Sequence, residues 1–143
     1  MLKQSIRAVI LFFSLITSVV SVNAQSRHRF TVHVPFQFVL NGQTLTAGEY
    51  VIERTDPAKP NIVTLKKADG GVVRVIITQR VEREHPSTES SLIFIRRGDR
   101  RYLFQVWNVG AMNGSEIPSA YKRERNGQQR TDLTLVTLKA KLR

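Results

Sequence analysis

Apolar and polar residues alternate over short stretches of this chain with a period of two. From residue 30 to residue 40 every second residue is apolar on either side of Pro35, and that period is typical of half-buried β-strands. Later stretches are rich in β-branched and aromatic residues, which favour strands. The predicted strands cover 30–40 in one or two segments, 43–46, a segment beginning at 50, 61–66, 72–78, 92–95 and 102–109.

Turn-forming residues separate these stretches. Asn41-Gly42 is the strongest hairpin signal, because both residues tolerate the positive φ of a two-residue hairpin turn. Asp69-Gly70-Gly71 and Gly98-Asp99 predict two more turns, and residues 110–118, with two glycines, are expected to form a loop. Pro35 lacks a backbone donor, so it indicates a bend or an edge position.

The C-terminal part allows two interpretations. Leu133, Leu135 and Thr137 alternate with Thr134, Val136 and Leu138, which predicts a strand over 133–138 that pairs with 121–125 across Asn126-Gly127. The alternative is a basic tail over 119–143. We favour the strand because the alternation is regular.

The fold class follows from these patterns. Residues 25–143 contain no apolar stripe at helical spacing over three turns. Seven or eight short strands, spaced about ten residues apart and joined by turns, predict a single all-β domain. An antiparallel β-sandwich and a barrel both fit this spacing.

The first 24 residues have the pattern of an export signal. Lys3 and Arg7 precede the uncharged, mostly apolar segment 8–22, and Val22-Asn23-Ala24 presents small residues to a signal peptidase. An uncleaved membrane anchor is the alternative, but a spanning helix needs about 20 apolar residues. The sequence therefore predicts a signal-peptide helix cleaved after Ala24 and a periplasmic or secreted product.

Composition and charge limit the kinds of protein and of active site that this sequence can form. Apolar residues make up 41% of the chain and charged residues 23%, as in a globular protein. Removing Lys3 and Arg7 lowers the formal net charge from +11 to +9. The chain has no cysteine, which excludes disulfides, a thiolate nucleophile and cysteine-ligated zinc.

Residues that typically form catalytic or metal sites are not grouped in this sequence. His28, His33 and His85 have no metal-ligand spacing, and no nucleophile elbow, phosphate loop or dinucleotide fingerprint is present. We therefore expect no catalytic residue, no metal and no cofactor. The alternative is a carbohydrate-binding domain or carbohydrate-active enzyme that uses Glu49 and Glu53, with Tyr50 or Trp107.

Positive charge is the feature that points to a binding partner. Arg96, Arg97, Arg100 and Arg101 flank a predicted hairpin tip, and the C-terminal segment adds further cations, among them Lys122, Arg123 and Arg125. A surface of this sign attracts polyanions. With an export signal, the expected partner is an anionic envelope lipid or polysaccharide and not a nucleic acid.

Two alternatives to this anion site remain open. The charges can instead serve solubility and keep sheet edges unpaired, and a protein partner can bind by adding a strand at an edge, near Pro35 or at the C-terminal strand.

One aromatic residue is a further candidate contact. Tyr102 and Phe104 share one side of their predicted strand and Trp107 points to the other. We therefore expect the first two in the core, and Trp107 is the better candidate for an exposed or half-exposed binding aromatic.

Two motifs carry a resemblance. Val34-Pro35-Phe36-Gln37-Phe38 with Ala47-Gly48-Glu49-Tyr50, and Gly98-Asp99-Arg100-Arg101-Tyr102-Leu103 with Trp107, are similar to signatures of an uncharacterised family of small exported β-rich bacterial proteins. The resemblance spans 30–124, with Thr46 where that family has proline and Arg101 lengthening the hairpin. It implies an exported β-domain and transfers no catalytic residue.

Overall fold

The computed structural model describes residues 28–54, 56–118 and 134–141. Eleven strands and no α-helix are present in these ranges, so the predicted all-β class is confirmed. The strands are β1 (Arg29–Val34), β2 (Phe38–Leu40), β3 (Gln43–Leu45), β4 (Gly48–Glu53), β5 (Ile62–Lys67), β6 (Val72–Ile77), β7 (Gln79–Glu82), β8 (Ser91–Arg97), β9 (Arg100–Trp107), β10 (Asn113–Glu116) and β11 (Thr134–Lys139).

The strands form two sheets that face each other across one core. One sheet has four strands in the order β1-β4-β5-β6. The other has seven: β11-β8-β9-β10-β7, with β2 joined to both β9 and β3. All pairings are antiparallel except the single contact of Val39 with Tyr102. The described strands close no barrel, so the sandwich-like architecture is the one present.

Eleven strands exceed the expected seven or eight because some are short and polar. The loop expected at 110–118 contains β10, and β7 follows β6 after one residue, Thr78. Neither β7 nor β10 has a regular apolar alternation. These strands pair through their backbones, and backbone pairing leaves no periodic signature in the sequence.

A bulge changes which side chains of β9 enter the core. Ile93 pairs with Gln105 but Phe94 pairs with Leu103, so the register shifts by one residue. Leu103 and Val106 are therefore the β9 residues in the core. The expected core role for Tyr102 and Phe104 is wrong, since both are only half-buried.

Aromatic rings connect the two sheets inside the core. Phe38 lies edge-to-face against Tyr50 of the four-stranded sheet, with ring centroids 5.3 Å apart, and against Phe94 at 5.4 Å. Such contacts add about 0.5–1.5 kcal/mol each to the burial of the rings. The core consists of Val32, Val34, Phe38, Leu40, Tyr50, Ile52, Val63, Leu65, Ile76, Leu92, Phe94, Leu103, Val106 and Ile117.

The C-terminal strand joins one sheet to the other. β11 pairs with β8 along its length, Leu135 opposite Ile95 and Lys139 opposite Ser91. After it, the Lys141 amide donates to the Thr31 carbonyl at 2.9 Å, and the Lys141 ammonium binds the Glu49 carboxylate. The expected hairpin partner at 121–125 and the signal peptide at 1–24 lie outside the described residues. In the part of the chain that the structure covers, no helix has the length and apolarity to cross a membrane.

Trp107 packs against a glycine on the neighbouring strand. A Cβ at Gly114 would lie 2.7 Å from Trp107 Cε2, well inside van der Waals contact. Arg83 covers the same ring, with Cζ 3.7 Å from the centroid, and the indole N–H donates to Gln105 at 3.1 Å. β10 therefore needs a residue without a side chain at position 114.

Replacing Gly114 by alanine should destabilise the fold. The added methyl group must displace the indole ring or strand β10, and overpacking of this kind costs about 1–3 kcal/mol. Gly71→Ala is the matched control, because its Cβ would meet only the Asp69 carboxylate at 3.4 Å. Urea unfolding of both variants measures the difference, and equal midpoints would contradict the packing described here.

The Glu49–Lys141 pair predicts a defined pH dependence. The hydrogen bond and the charge of Lys141 hold the pKa of Glu49 below its ordinary value of 4.5. A carboxyl whose pKa is lowered by folding stabilises the fold above that ordinary value, and the contribution disappears as the pH falls through the folded value. Glu49→Gln should therefore lower the denaturant midpoint at neutral pH but not at strongly acidic pH.

The size of this effect is limited because the pair lies at the surface. Lys141→Met should show the same loss at neutral pH, and added salt should reduce it. A deficit of Glu49→Gln that grows as the pH falls would show that the ion pair is not its cause.

Candidate anion-binding site

Four arginines lie in opposed pairs at the tip of the β8–β9 hairpin. Arg97 is opposite Arg100 and Arg96 is opposite Arg101. The turn between them is Gly98-Asp99, and Gly98 has φ = 57°, a left-handed value that glycine adopts without strain. Directly opposed residues share a face of the sheet. The tip therefore presents two guanidinium groups on each face, and we call these four residues the arginine hairpin.

Aromatic rings contact two of these side chains, and the turn backbone holds Arg96, whose Nε donates to the Gly98 carbonyl at 3.1 Å. Arg101 Cζ lies 4.4 Å from the Phe36 ring centroid, and Phe36 itself stands edge-to-face on Phe94 at 5.2 Å. Arg97 Cζ lies 5.4 Å from the Tyr102 centroid. Stacking on a ring face leaves the guanidinium edge and its N–H donors able to bind a ligand. The arrangement thus restricts these side chains without neutralising their charge.

Carboxylates neutralise several cations elsewhere in the described part of the chain. Within the described ranges, Arg96, Arg100 and Arg101 make no ion pair, and Asp99 is the one acid of the hairpin tip. Like charges directly opposed across strands destabilise a sheet, so the opposed arginine pairs lower the stability of the hairpin tip. The ion pairs formed elsewhere are Asp56–Lys59, Glu53–Lys66, Glu82–Arg80, Glu89–Lys139 and Glu49–Lys141.

The C-terminal cations do not extend this positive surface as far as it is described. Lys122, Arg123 and Arg125 lie outside the described residues. Lys139 is opposite Ser91, at the far end of β8 from the arginines, and it pairs with Glu89. The described site is therefore the arginine hairpin by itself.

Trp107 is not the exposed aromatic that the sequence predicts. It points away from the core, as expected from its strand position, but only 1% of it is exposed. The ring is covered by the backbone at Gly114 and by the Arg83 side chain. Alternation along β9 identifies its face and cannot show what the neighbouring strands place over it.

Glu49, Glu53 and Tyr50, the residues of the alternative carbohydrate site, each contact other parts of the folded chain. Glu49 and Glu53 lie on the same face of β4, but they bind Lys141 and Lys66 respectively. Tyr50 is a core residue whose hydroxyl donates to the Thr46 carbonyl at 2.6 Å, and burial raises the pKa of that hydroxyl. The geometry therefore gives no support to a site built on these three residues.

The histidines are not brought together either. His28, His33 and His85 are all exposed, and no group of three or more histidine and acidic side chains in the described ranges is placed to hold a metal ion.

Arg54 is a second candidate binding residue, away from the arginine hairpin, that the sequence did not identify. It follows Tyr50 and Ile52 at the next inward-facing position, just beyond β4, and its Nη2 donates to Ser115 Oγ of the other sheet at 2.8 Å. The available signal was this register, which places a charge where the alternation calls for an apolar residue.

No protein-family model, curated protein or solved structure matches this chain.

Proposed function

We propose that this protein is an exported, non-catalytic binding module that attaches to an anionic envelope lipid or polysaccharide through the arginine hairpin. The observation that carries the proposal is the concentration of four guanidinium groups around one acid, with no described ion pair at Arg96, Arg100 or Arg101. The segment pattern at 1–24 supports export. A nucleic acid is not the proposed partner, because export separates the protein from it.

Arginine suits this role for a chemical reason. Its planar guanidinium donates two parallel hydrogen bonds to phosphate or carboxylate oxygens. With a pair on each face of one turn, the hairpin can engage anions on both sides of its tip. Each cation near an anionic membrane contributes about 1 kcal/mol, and salt weakens the attraction.

The proposal is tested by co-sedimentation with envelope fractions, with vesicles that contain anionic lipid, and with an acidic polysaccharide, at low and high salt. Replacing Arg96, Arg97, Arg100 and Arg101 by serine should weaken low-salt binding to the preferred partner about a hundredfold or more. The same variant should also show a flatter salt dependence. Its thermal midpoint should change little, because the removal of opposed like charges offsets the loss of the Arg97 and Arg101 ring contacts.

A second variant with the same change in net charge serves as the control. It replaces Arg29, Lys59, Lys67 and Lys139 by serine, which lie on other strands and loops. It should retain most of the binding. Equal losses of binding affinity in both variants would show that only the net charge matters. Unchanged binding in the hairpin variant would exclude the proposed site.

Strand addition is the second candidate, and one observation favours it. β6 is an edge strand of the four-stranded sheet, and its Val75 and Ile77 are 60% and 71% exposed. A partner strand at this edge would bind through backbone hydrogen bonds. Binding that survives high salt and is lost in Ile77→Pro would identify this edge as the binding surface instead.

A further inference from the structure

A second positively charged site lies between the sheets, at the end of the β8–β9 hairpin opposite to the arginines. β8 runs from Ser91 to Arg97, so the two ends are about 20 Å apart. Asn108, which follows β9, and Arg54, which follows β4, both lie at this end. The Arg54 amide donates to the His28 carbonyl at 3.0 Å, which continues the β1–β4 pairing and fixes Arg54 in its inward position.

The Arg54 charge is half-buried and has no counter-ion within the described part of the chain. Its Nη2 donates to Ser115 Oγ, a neutral acceptor, and its Nε is buried without a hydrogen-bond partner. Desolvation lowers the pKa of the guanidinium, with no carboxylate acting in the other direction. Buried charges in proteins are normally paired, so this arrangement is costly unless an external anion completes it.

The surroundings of Arg54 provide space and donors for such an anion. A cavity of about 170 Å³ is bordered by Arg54 and Ser115 on the inside, by Arg80 at the exposed side, and by Asn61 and Asn113. The volume is many times that needed for one water molecule. Arg80 lies directly opposite Ser115 in the β7–β10 pairing, so both face the same side of the sheet.

Arg80 is oriented by its neighbours. Its Nε donates to Asn113 Oδ1 at 3.1 Å and its Nη2 lies 2.9 Å from a Glu82 carboxylate oxygen. Glu82 offsets the charge of Arg80, which leaves Arg54 as the uncompensated cation of the cavity wall. A second cavity, of about 480 Å³, adjoins Arg54 on the side of Asn108, whose Oδ1 is likewise buried without a partner.

We propose that this cavity binds a small hydroxylated carboxylate, of which a uronic acid monosaccharide is the simplest example. The carboxylate lies against Arg54, with Arg80 at the entrance. The hydroxyl groups exchange hydrogen bonds with the Asn61 and Asn113 amides, which can both donate and accept. This site is separate from the arginine hairpin, and neither proposal depends on the other.

The test is a titration of the purified protein with sodium glucuronate, followed through the backbone amide signals in NMR spectra. Saturable shifts are expected at Asn61, Thr78 and the β10 residues 113–115. Glucose at the same concentrations should cause no such shifts, because it lacks the carboxylate. Arg54→Met should weaken glucuronate binding about tenfold or more, since a charge-assisted hydrogen bond contributes at least this factor.

Stability separates a binding role for Arg54 from a structural one. Arg54→Met replaces a half-buried charge that has no counter-ion by an apolar residue of similar length. The thermal midpoint of this variant should therefore be unchanged or higher. Lys67→Met removes the same charge at the end of β5, outside both proposed sites, and should bind glucuronate normally. Arg80→Gln, at the exposed side of the cavity, tests the site with an intact interior and should also weaken binding.

Three results would overturn the inference. Absence of saturable shifts with glucuronate would exclude the site, and shifts confined to residues 96–101 would place the binding at the arginine hairpin. Inorganic sulfate that binds as tightly as glucuronate at matched ionic strength would overturn the assignment of a hydroxylated carboxylate. Because the hairpin variants keep this cavity intact, failure here leaves the envelope-binding proposal unaffected.

Discussion

The structure depends on a continuous series of ring contacts that begins in the core and ends at the candidate site. Tyr50 of one sheet meets Phe38 of the other, Phe38 meets Phe94, and Phe94 meets Phe36, each edge-to-face. Arg101 then stacks on Phe36. Because the chain has no cysteine, no disulfide joins the sheets, and burial of these rings is a main source of their cohesion.

The same series explains how four like charges are tolerated at one tip. Phe36 follows Pro35, in the bend between β1 and β2, and its ring has one side toward Phe94 and another toward the Arg101 guanidinium. Ring faces attract cations without neutralising them. Arg101 can thus be ordered while its charge stays available, whereas Lys66, Lys139 and Lys141 bind carboxylates.

The fold class could be predicted because alternation and turn chemistry are local properties. Asn41 and Gly42 adopt φ values of 49° and 82°, as a hairpin turn with two left-handed residues requires. The four arginines could be assigned to a tip because Gly98-Asp99 marks the turn. These predictions needed only residues close together in the chain.

What could not be predicted depends on contacts between distant segments. β7 and β10 are held by backbone pairing, the bulge at Phe94 moves Phe104 out of the core register, and Gly114 and Arg83 cover Trp107. Arg54 becomes a site residue only because Ser115, 61 residues later in the chain, lies opposite it. Periodicity reports the face of a residue, and the neighbours on that face come from the topology.

We propose that the arginine hairpin retains opposed like charges for binding, at the expense of stability. The most direct test measures the unfolding free energy and the vesicle binding of two variants with the same net charge. In Arg100→Glu, position 100 forms an opposite-charge pair with Arg97, and Lys59→Glu is the control. We expect Arg100→Glu to gain a few tenths to about 1 kcal/mol in unfolding free energy at low salt and to bind anionic vesicles more weakly than Lys59→Glu does. A variant that is less stable than the parent, or that binds as well as Lys59→Glu, would contradict it.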